Sequence, residues 1–314
     1  FLLVSFLSFL YLTDTSNTRN KTKFLFISLT VFILALLSKE TAVIFPVLLA
    51  VYCFTLKREG YKVSKSELLL LTPYVVLAAV YQILRITTLN FNTYSSFGQD
   101  FTHRTLMFLK ALPLYWKKLT WPIGLHYHYE AQIPIERLDP QVIISISIIV
   151  AMIILVWIFK PYRKLLLFGF GWFFVSMAPV SGIMVPINFF IGERWLYLSA
   201  IGIFIIAAIF IDKLLDYFCR YKTRKTIIIL LFLAYASFLI ILGIKRNLVW
   251  RDGLTFAKNT LAYAPQEKKS EMRGLLATEY AERNQEKEAL EEFRIAISLN
   301  PKSPVHIYNL GVLY

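Results

Sequence analysis

The 314 residues are 57% hydrophobic and 16% aromatic, only 17% are charged, and the net charge is +14. A soluble domain keeps about a quarter of its residues charged, so these proportions exclude an ordinary globular domain over most of the length. The basic excess would suit nucleic acid. However, no nucleic-acid-binding motif is present, and the Lys and Arg residues cluster in short loops between apolar runs, where they hold loops at the cytoplasmic face of a membrane. Residues 1–245 are mostly long apolar runs and 265–300 have water-soluble character, which predicts a membrane domain followed by a small soluble one.

Eight apolar runs are predicted to be membrane helices, near 1–12, 24–38, 41–56, 67–84, 141–159, 164–180, 195–212 and 226–244. A spanning helix needs about 20 apolar residues, so 24–38 and 41–56 are short and are either tilted or partly re-entrant. The chain opens Phe1-Leu2-Leu3-Val4 without Met or a signal-peptide pattern and closes at Tyr314 inside a helical pattern, so truncation at both ends is expected. Basic residues mark alternate loops: Arg19, Lys21 and Lys23; Lys57, Arg58, Lys62 and Lys65; Lys160, Arg163 and Lys164; and Lys213, Arg220, Lys222, Arg224 and Lys225. Eight spans put all four on one side, the cytoplasm by the positive-inside rule. Ser38-Lys39-Glu40, segment 85–140, the connection 181–194 and everything after about 245 then face outward, to the periplasm, the exterior or the lumen of the endoplasmic reticulum.

The outward connections hold the unusual polar residues. Ser38-Lys39-Glu40 interrupts an otherwise continuous apolar stretch. It is either a tight hairpin marking the surface or part of a site, since charges at membrane depth are expensive and tend to line cavities. Residues 105–120 are apolar, aromatic and basic, and predict a helix lying in the interface plane. In the following segment His126, His128 and Glu130 alternate, which would place them on one side of an extended strand. They could hold a divalent metal such as zinc or manganese, or be incidental to interfacial Tyr anchors; no fourth ligand is visible and no cofactor is certain. Cys53 and Cys219 belong to no metal-ligand spacing. Arg85, Asp212 and Asp216 read as charges at the headgroup boundary. Further along, Ile187 to Tyr197 sets Glu193 and Arg194 between two apolar runs. One account is a structural ion pair capping the helix that starts near Trp195, with the acid at its positive end. The other is a site for an anion.

In the tail, Leu276, Ala277 and Tyr280 recur as Leu310, Gly311 and Tyr314, each 34 residues on. Ala289, Phe293, Ala296 and Pro301 fall between them at the offsets of the second helix and turn of a tetratricopeptide repeat. Residues 270–314 are therefore predicted to be one repeat and the start of a second, with 246–269 a connector or degenerate half-repeat and further repeats expected beyond Tyr314. Such helical hairpins bury their faces by stacking and bind proteins or peptides.

Ser38-Lys39-Glu40, the Asn188 to Tyr197 segment with Glu193-Arg194-x-Leu196-Tyr197, and Trp250-Arg251-Asp252 before the repeats, taken in this order, resemble the transmembrane and tetratricopeptide-repeat O-mannosyltransferase family of the GT-C glycosyltransferase superfamily. The resemblance implies an all-α fold: a polytopic helix bundle of GT-C type followed by tetratricopeptide-repeat hairpins. It implies transfer of a sugar from a polyprenyl- or dolichyl-phosphate carrier to a protein hydroxyl on the non-cytoplasmic face. The family's catalytic acid lies in the first outward loop, expected to precede Phe1, so no catalytic residue is assigned within the chain. Arg194 and Lys39 are expected to bind the donor phosphate, because positioned cations stabilise the leaving group. Glu193 and Glu40 would orient them or contact the acceptor. An O-antigen ligase or polymerase-like protein, and a non-enzymatic membrane-anchored scaffold, are the rival readings.

Overall fold

The computed structural model describes the chain except residues 16, 57–64, 90–99, 128, 130–138, 185–190 and 219–221, and the side chains of 65–67, 89, 218 and 222–225. All regular structure among the described residues is helical, with no strand. The helices are α1 (Leu2–Asp14), α2 (Thr18–Ser38), α3 (Phe45–Thr55), α4 (Lys65–Leu89), α5 (Phe101–Thr120), α6 (Pro140–Ile158), α7 (Arg163–Met177), α8 (Leu196–Phe218), α9 (Lys222–Val249), α10 (Gly253–Tyr263), α11 (Lys269–Glu282), α12 (Glu286–Leu299) and α13 (Pro304–Leu313). Short 3-10 turns lead into α3 (Glu40–Ile44), α7 (Lys160–Tyr162), α8 (Glu193–Trp195) and α11 (Gln266–Lys268), and another follows α7 (Ala178–Val180).

Six stretches are long and apolar enough to cross a membrane: Thr18–Ser38, Leu68–Thr88, Pro140–Ile158, Lys160–Val180, Glu193–Tyr217 and Thr226–Val249. Leu2–Asp14 and Glu40–Thr55 are apolar but shorter. The chain is a multi-pass membrane protein. Its run near 41–56 is not one continuous helix. The 3-10 turn Glu40–Ile44 precedes α3, and Pro46 occupies the first turn of α3, where its missing N–H leaves no hydrogen bond unmade. The predicted interfacial helix is α5, which starts at Phe101 and carries Pro113 within it and Lys117 and Lys118 in its last turn.

The chain divides into two compact units, with boundaries inside α5 and α8. The first comprises residues 1–110, 136–188 and 194–213. One core there joins α1, α2, α3 and α4 through Phe9, Phe32, Phe45, Leu49 and Tyr74, all fully buried, with Cys53 beside them. Because lipid is as apolar as these side chains, polar contacts and close packing hold such helices together. Tyr74 Oη donates to Ser28 Oγ at 2.7 Å, while the Ser5 and Ser28 hydroxyls each donate to the other residue's carbonyl at 2.8 Å. A second core places Leu48, Phe168 and Trp172 among α1, α3, α7 and α8. There α7 and α8 cross at Gly169 and Gly202, so closely that a Cβ on Gly202 would lie 2.3 Å from the Gly169 carbonyl oxygen. Trp172 Nε1 donates to Leu198 O at 2.9 Å across the same pair. Lys110 and Asp139, both largely buried, pair at 2.7 Å, and Asp139 also caps α6 through Gln141 N.

The second unit comprises residues 111–135, 189–193 and 214–314. Its α10 is capped by Asp252, whose carboxylate accepts from Thr255 N at 3.0 Å and from Arg283 at 2.8 Å; the Thr255 hydrogen bonds hold that carboxyl below its usual pKa, with Arg283 assisting. Helix α11 pairs with α12 and ends in a Schellman turn. Asn284 takes φ 59°, with Gln285 N donating to Tyr280 O and Asn284 N to Ala281 O. Leu276, Ala277, Ala289, Phe293 and Ala296 are buried between these helices. Tyr280 and Leu310 are half-buried, and Pro301, Gly311 and Tyr314 are exposed. Arg273 Nη1 lies 2.7 and 2.9 Å from the two carboxylate oxygens of Glu292, and Ser270 Oγ donates to Ala296 O.

Candidate functional site

A cavity of about 280 Å³ opens in the first unit where four helix ends meet. It is lined by the start of α1 (Phe1, Leu2, Leu3), the end of α2 (Ala35, Ser38), Lys39 with Thr41 and Ala42, the end of α7 with its following turn (Ser176, Val180), and the turn into α8 (Arg194, Trp195, Tyr197, Leu198). Local backbone chemistry produces this convergence. Lys39 is extended (φ −159°, ψ 129°), which stops α2 after Ser38, and the Lys39 N–H still caps Ala35 O at 3.0 Å. Ala42 N returns to Lys39 O and starts the following turn. At the other wall the 3-10 turn Glu193–Trp195 leads into α8, so the positive end of a 23-residue helix faces the same space.

The far end of α8 lies elsewhere. Phe210 packs on Phe159 and Tyr162, both with ring centroids at 5.9 Å, at the basic turn between α6 and α7. Trp195 to Phe210 spans about 22 Å of helix. The cavity and the Lys160–Lys164 charges therefore occupy opposite ends of α8.

Lys39 and Arg194 both line the cavity, and among its described lining residues none is acidic. The Arg194 guanidinium also sits 6.0 Å from the Trp195 ring centroid, at the limit of cation–π attraction. Two cations, a helix N-terminus and mostly apolar walls suit an anion attached to an apolar body. Glu40 begins its turn as an exposed residue and Glu193 does not line the cavity.

Glu193 instead organises a polar cluster in the second unit. Its Oε1 accepts from His126 N at 2.8 Å and from the Tyr129 hydroxyl, and its Oε2 pairs with Arg246 Nη2 at 3.4 Å. Burial and the bond to Glu193 push the Tyr129 phenol up in pKa, which keeps it a proton donor. Lys118 Nζ donates to Ile123 O and Gly124 O at 2.7 and 2.9 Å and lies 5.5 Å from the Tyr129 ring centroid; burial pulls its ammonium below the ordinary range. Sequence reasoning picked out Glu193 and His126 but missed Lys118, Tyr129 and Arg246. The available signal was weak: Lys245-Arg246 follows an apolar run like any other charged helix end.

The His126 ring stacks on Tyr263 at 4.9 Å, and its Nδ1 is 2.8 Å from Gly124 O. His128 and Glu130, the other members of the expected metal triad, lie outside the described residues, as does Asn188. Among the described residues no three His, Cys, Asp or Glu side chains gather as a metal group. Burial lowers the His126 pKa, with Lys118 and Arg246 acting in the same direction and Gly124 O and Glu193 opposing. The unfolded chain therefore takes up a proton on His126 before the folded chain does. This contribution to stability is complete above the unfolded value of about 6.5 and is lost as pH falls below it. Unfolding temperatures measured from pH 7.5 to 5.5 should fall, and His126→Gln should flatten that profile; an unchanged profile in the variant contradicts the assignment.

Comparison with protein-family models, curated proteins and solved structures returns no match to this chain.

Proposed function

We propose that the chain belongs to a membrane glycosyltransferase of GT-C type, moving a sugar from a polyprenyl- or dolichyl-phosphate carrier to a protein hydroxyl on the non-cytoplasmic face. The observation that supports this most is the meeting of Lys39 and Arg194, 155 positions apart in sequence, on one cavity with otherwise mostly apolar walls. A lipid-phosphate sugar offers both features, a phosphodiester anion for the cations, which gains a second charge as the sugar leaves, and an apolar chain for the walls. Charge developing on the departing phosphate is stabilised by such preplaced cations. The helical pairs α10 to α13 are read as tetratricopeptide repeats that present the protein acceptor.

Two measurements test the proposal. Membranes containing the full-length protein are supplied with polyprenyl-phosphate and dolichyl-phosphate sugars, and radiolabel on protein is counted against membranes lacking it. No transfer from any such donor contradicts the enzyme reading. A topology reporter fused after Tyr314 should be active outside the cytoplasm; cytoplasmic activity would overturn the placement of the site.

A further inference from the structure

Ser176 sits in the last turn of α7, is only 5% exposed, and lines the cavity that holds Lys39 and Arg194. Its hydroxyl makes no hydrogen bond among the described residues. Elsewhere in the same unit helical hydroxyls find partners, across helices for Ser5 and Ser28 and within their own helix for others. Ser38, Thr55, Ser145 and Ser199 each donate to the carbonyl four residues earlier, at 2.7, 2.6, 3.0 and 3.1 Å. Ser176 has the equivalent acceptor, Trp172 O, one turn away and does not use it. A buried hydroxyl left without a partner costs free energy that its neighbours avoid. Nothing in the packing demands a polar group there, since Trp172, Phe173 and Met177 beside it are buried apolar side chains.

We infer that Ser176 is a binding residue of this cavity, donating its hydroxyl hydrogen to an oxygen of the anionic headgroup held by Lys39 and Arg194. This rests on the proposed lipid-phosphate reading and adds a neutral donor to its two cations. A hydroxyl on a rigid helix supplies a directional contact that two flexible cations lack, and so fixes the orientation of the phosphoryl group. The hydrogen bond is charge-assisted, the strong kind. The unpaired hydroxyl is the cost of holding that donor ready in the empty protein.

The two states give opposite signs for Ser176→Ala, which makes the inference testable. The 314-residue chain is purified in detergent and titrated with farnesyl phosphate, and separately with inorganic phosphate. Ser176→Ala should weaken binding about 10-fold or more, the effect of losing one hydrogen bond to a charged group. The unfolding temperature of the unliganded variant should equal or exceed that of the wild type, because no bond is lost. Weakening with both probes places the contact on the phosphoryl group itself, and weakening with farnesyl phosphate alone places it on a head seated by its chain; each supports the inference. Unchanged affinity in Ser176→Ala, with Lys39→Ala and Arg194→Ala both weaker, overturns the Ser176 role and leaves the donor site standing. A lower unliganded unfolding temperature overturns it too, by showing the hydroxyl to be structural. No binding of either probe by the wild type overturns this inference together with the lipid-phosphate reading.

Discussion

Arg194→Ala should lower sugar transfer from a prenyl-phosphate donor by about 10²-fold or more, the range found when a preorganised stabiliser of developing charge is removed. Lys39→Ala should cost about 10-fold, because a lysine on a flexible stem supplies a point charge without the forked geometry that fits phosphate. Arg194→Lys should recover part of the loss through its charge alone. None of the three should alter the unfolding temperature by more than a degree or two, since both side chains are largely exposed and surface substitutions shift stability by about 0.5 kcal/mol or less. The separation matters. Glu193, one residue away, is bonded to Tyr129, His126 and Arg246, so its replacement should register as lost stability. Transfer measured in membranes with matched protein levels decides the case; full activity in Arg194→Ala removes the donor role given to that residue.

The second large effect concerns packing. Gly202→Ala should destabilise the first unit by about 1–3 kcal/mol, the usual cost of overfilling a close contact. The added methyl would meet the Gly169 carbonyl oxygen at 2.3 Å and Trp172 Cβ at 2.9 Å. The first of these is backbone and cannot rotate aside, so relief requires the two helices to separate. Separation would in turn stretch the bond from Trp172 Nε1 to Leu198 O. Gly243 in α9 is the internal control, because a Cβ there meets nothing within 4 Å. Gly243→Ala should be neutral, or stabilising by up to about 1 kcal/mol through helix propensity. Unfolding in detergent, followed by tryptophan fluorescence, should separate the variants by several degrees. Equal midpoints would show that α7 and α8 do not depend on this contact.

The membrane character of the chain was legible because it needs only composition and run length. The eight apolar runs reappear as six stretches of spanning length and two shorter helices. Helix breaks were harder to read. The 3-10 turn at Glu40–Ile44 arises from Lys39 leaving helical geometry, and no residue type at that position requires it. Lys39 and Arg194 stood out as charges between apolar runs. Ser176 did not, because a serine in a helix carries no signal until its neighbours are placed. Glu193 shows the opposite limit. Its adjacency to Arg194 suggested a pair between neighbours, whereas the carboxylate reaches Arg246, 53 positions away, and two residues of the 126–129 segment. Sequence proximity is a poor guide to which charges meet, since a turn can send consecutive side chains in different directions.

Helix α9 carries a consequence of its own. None of the residues in its spanning window is buried. Within the second unit Trp121 packs on Phe238, Tyr235 donates to Thr120 O, and Arg246 reaches Glu193. Its apolar run, Thr226 to Ile244, is about 28 Å long at 1.5 Å per residue, close to the roughly 30 Å of a bilayer's hydrocarbon layer. Lys245 and Arg246 follow this run directly, so Arg246 is expected at the edge of that layer. A thicker membrane draws the arginine inward, where its ion pair with Glu193 is strengthened by the apolar surroundings but dearer to desolvate; a thinner one bathes the pair in water and weakens it. The Arg246–Glu193 pair is thus exposed to lipid thickness, which makes acyl-chain length a variable of the second unit's stability.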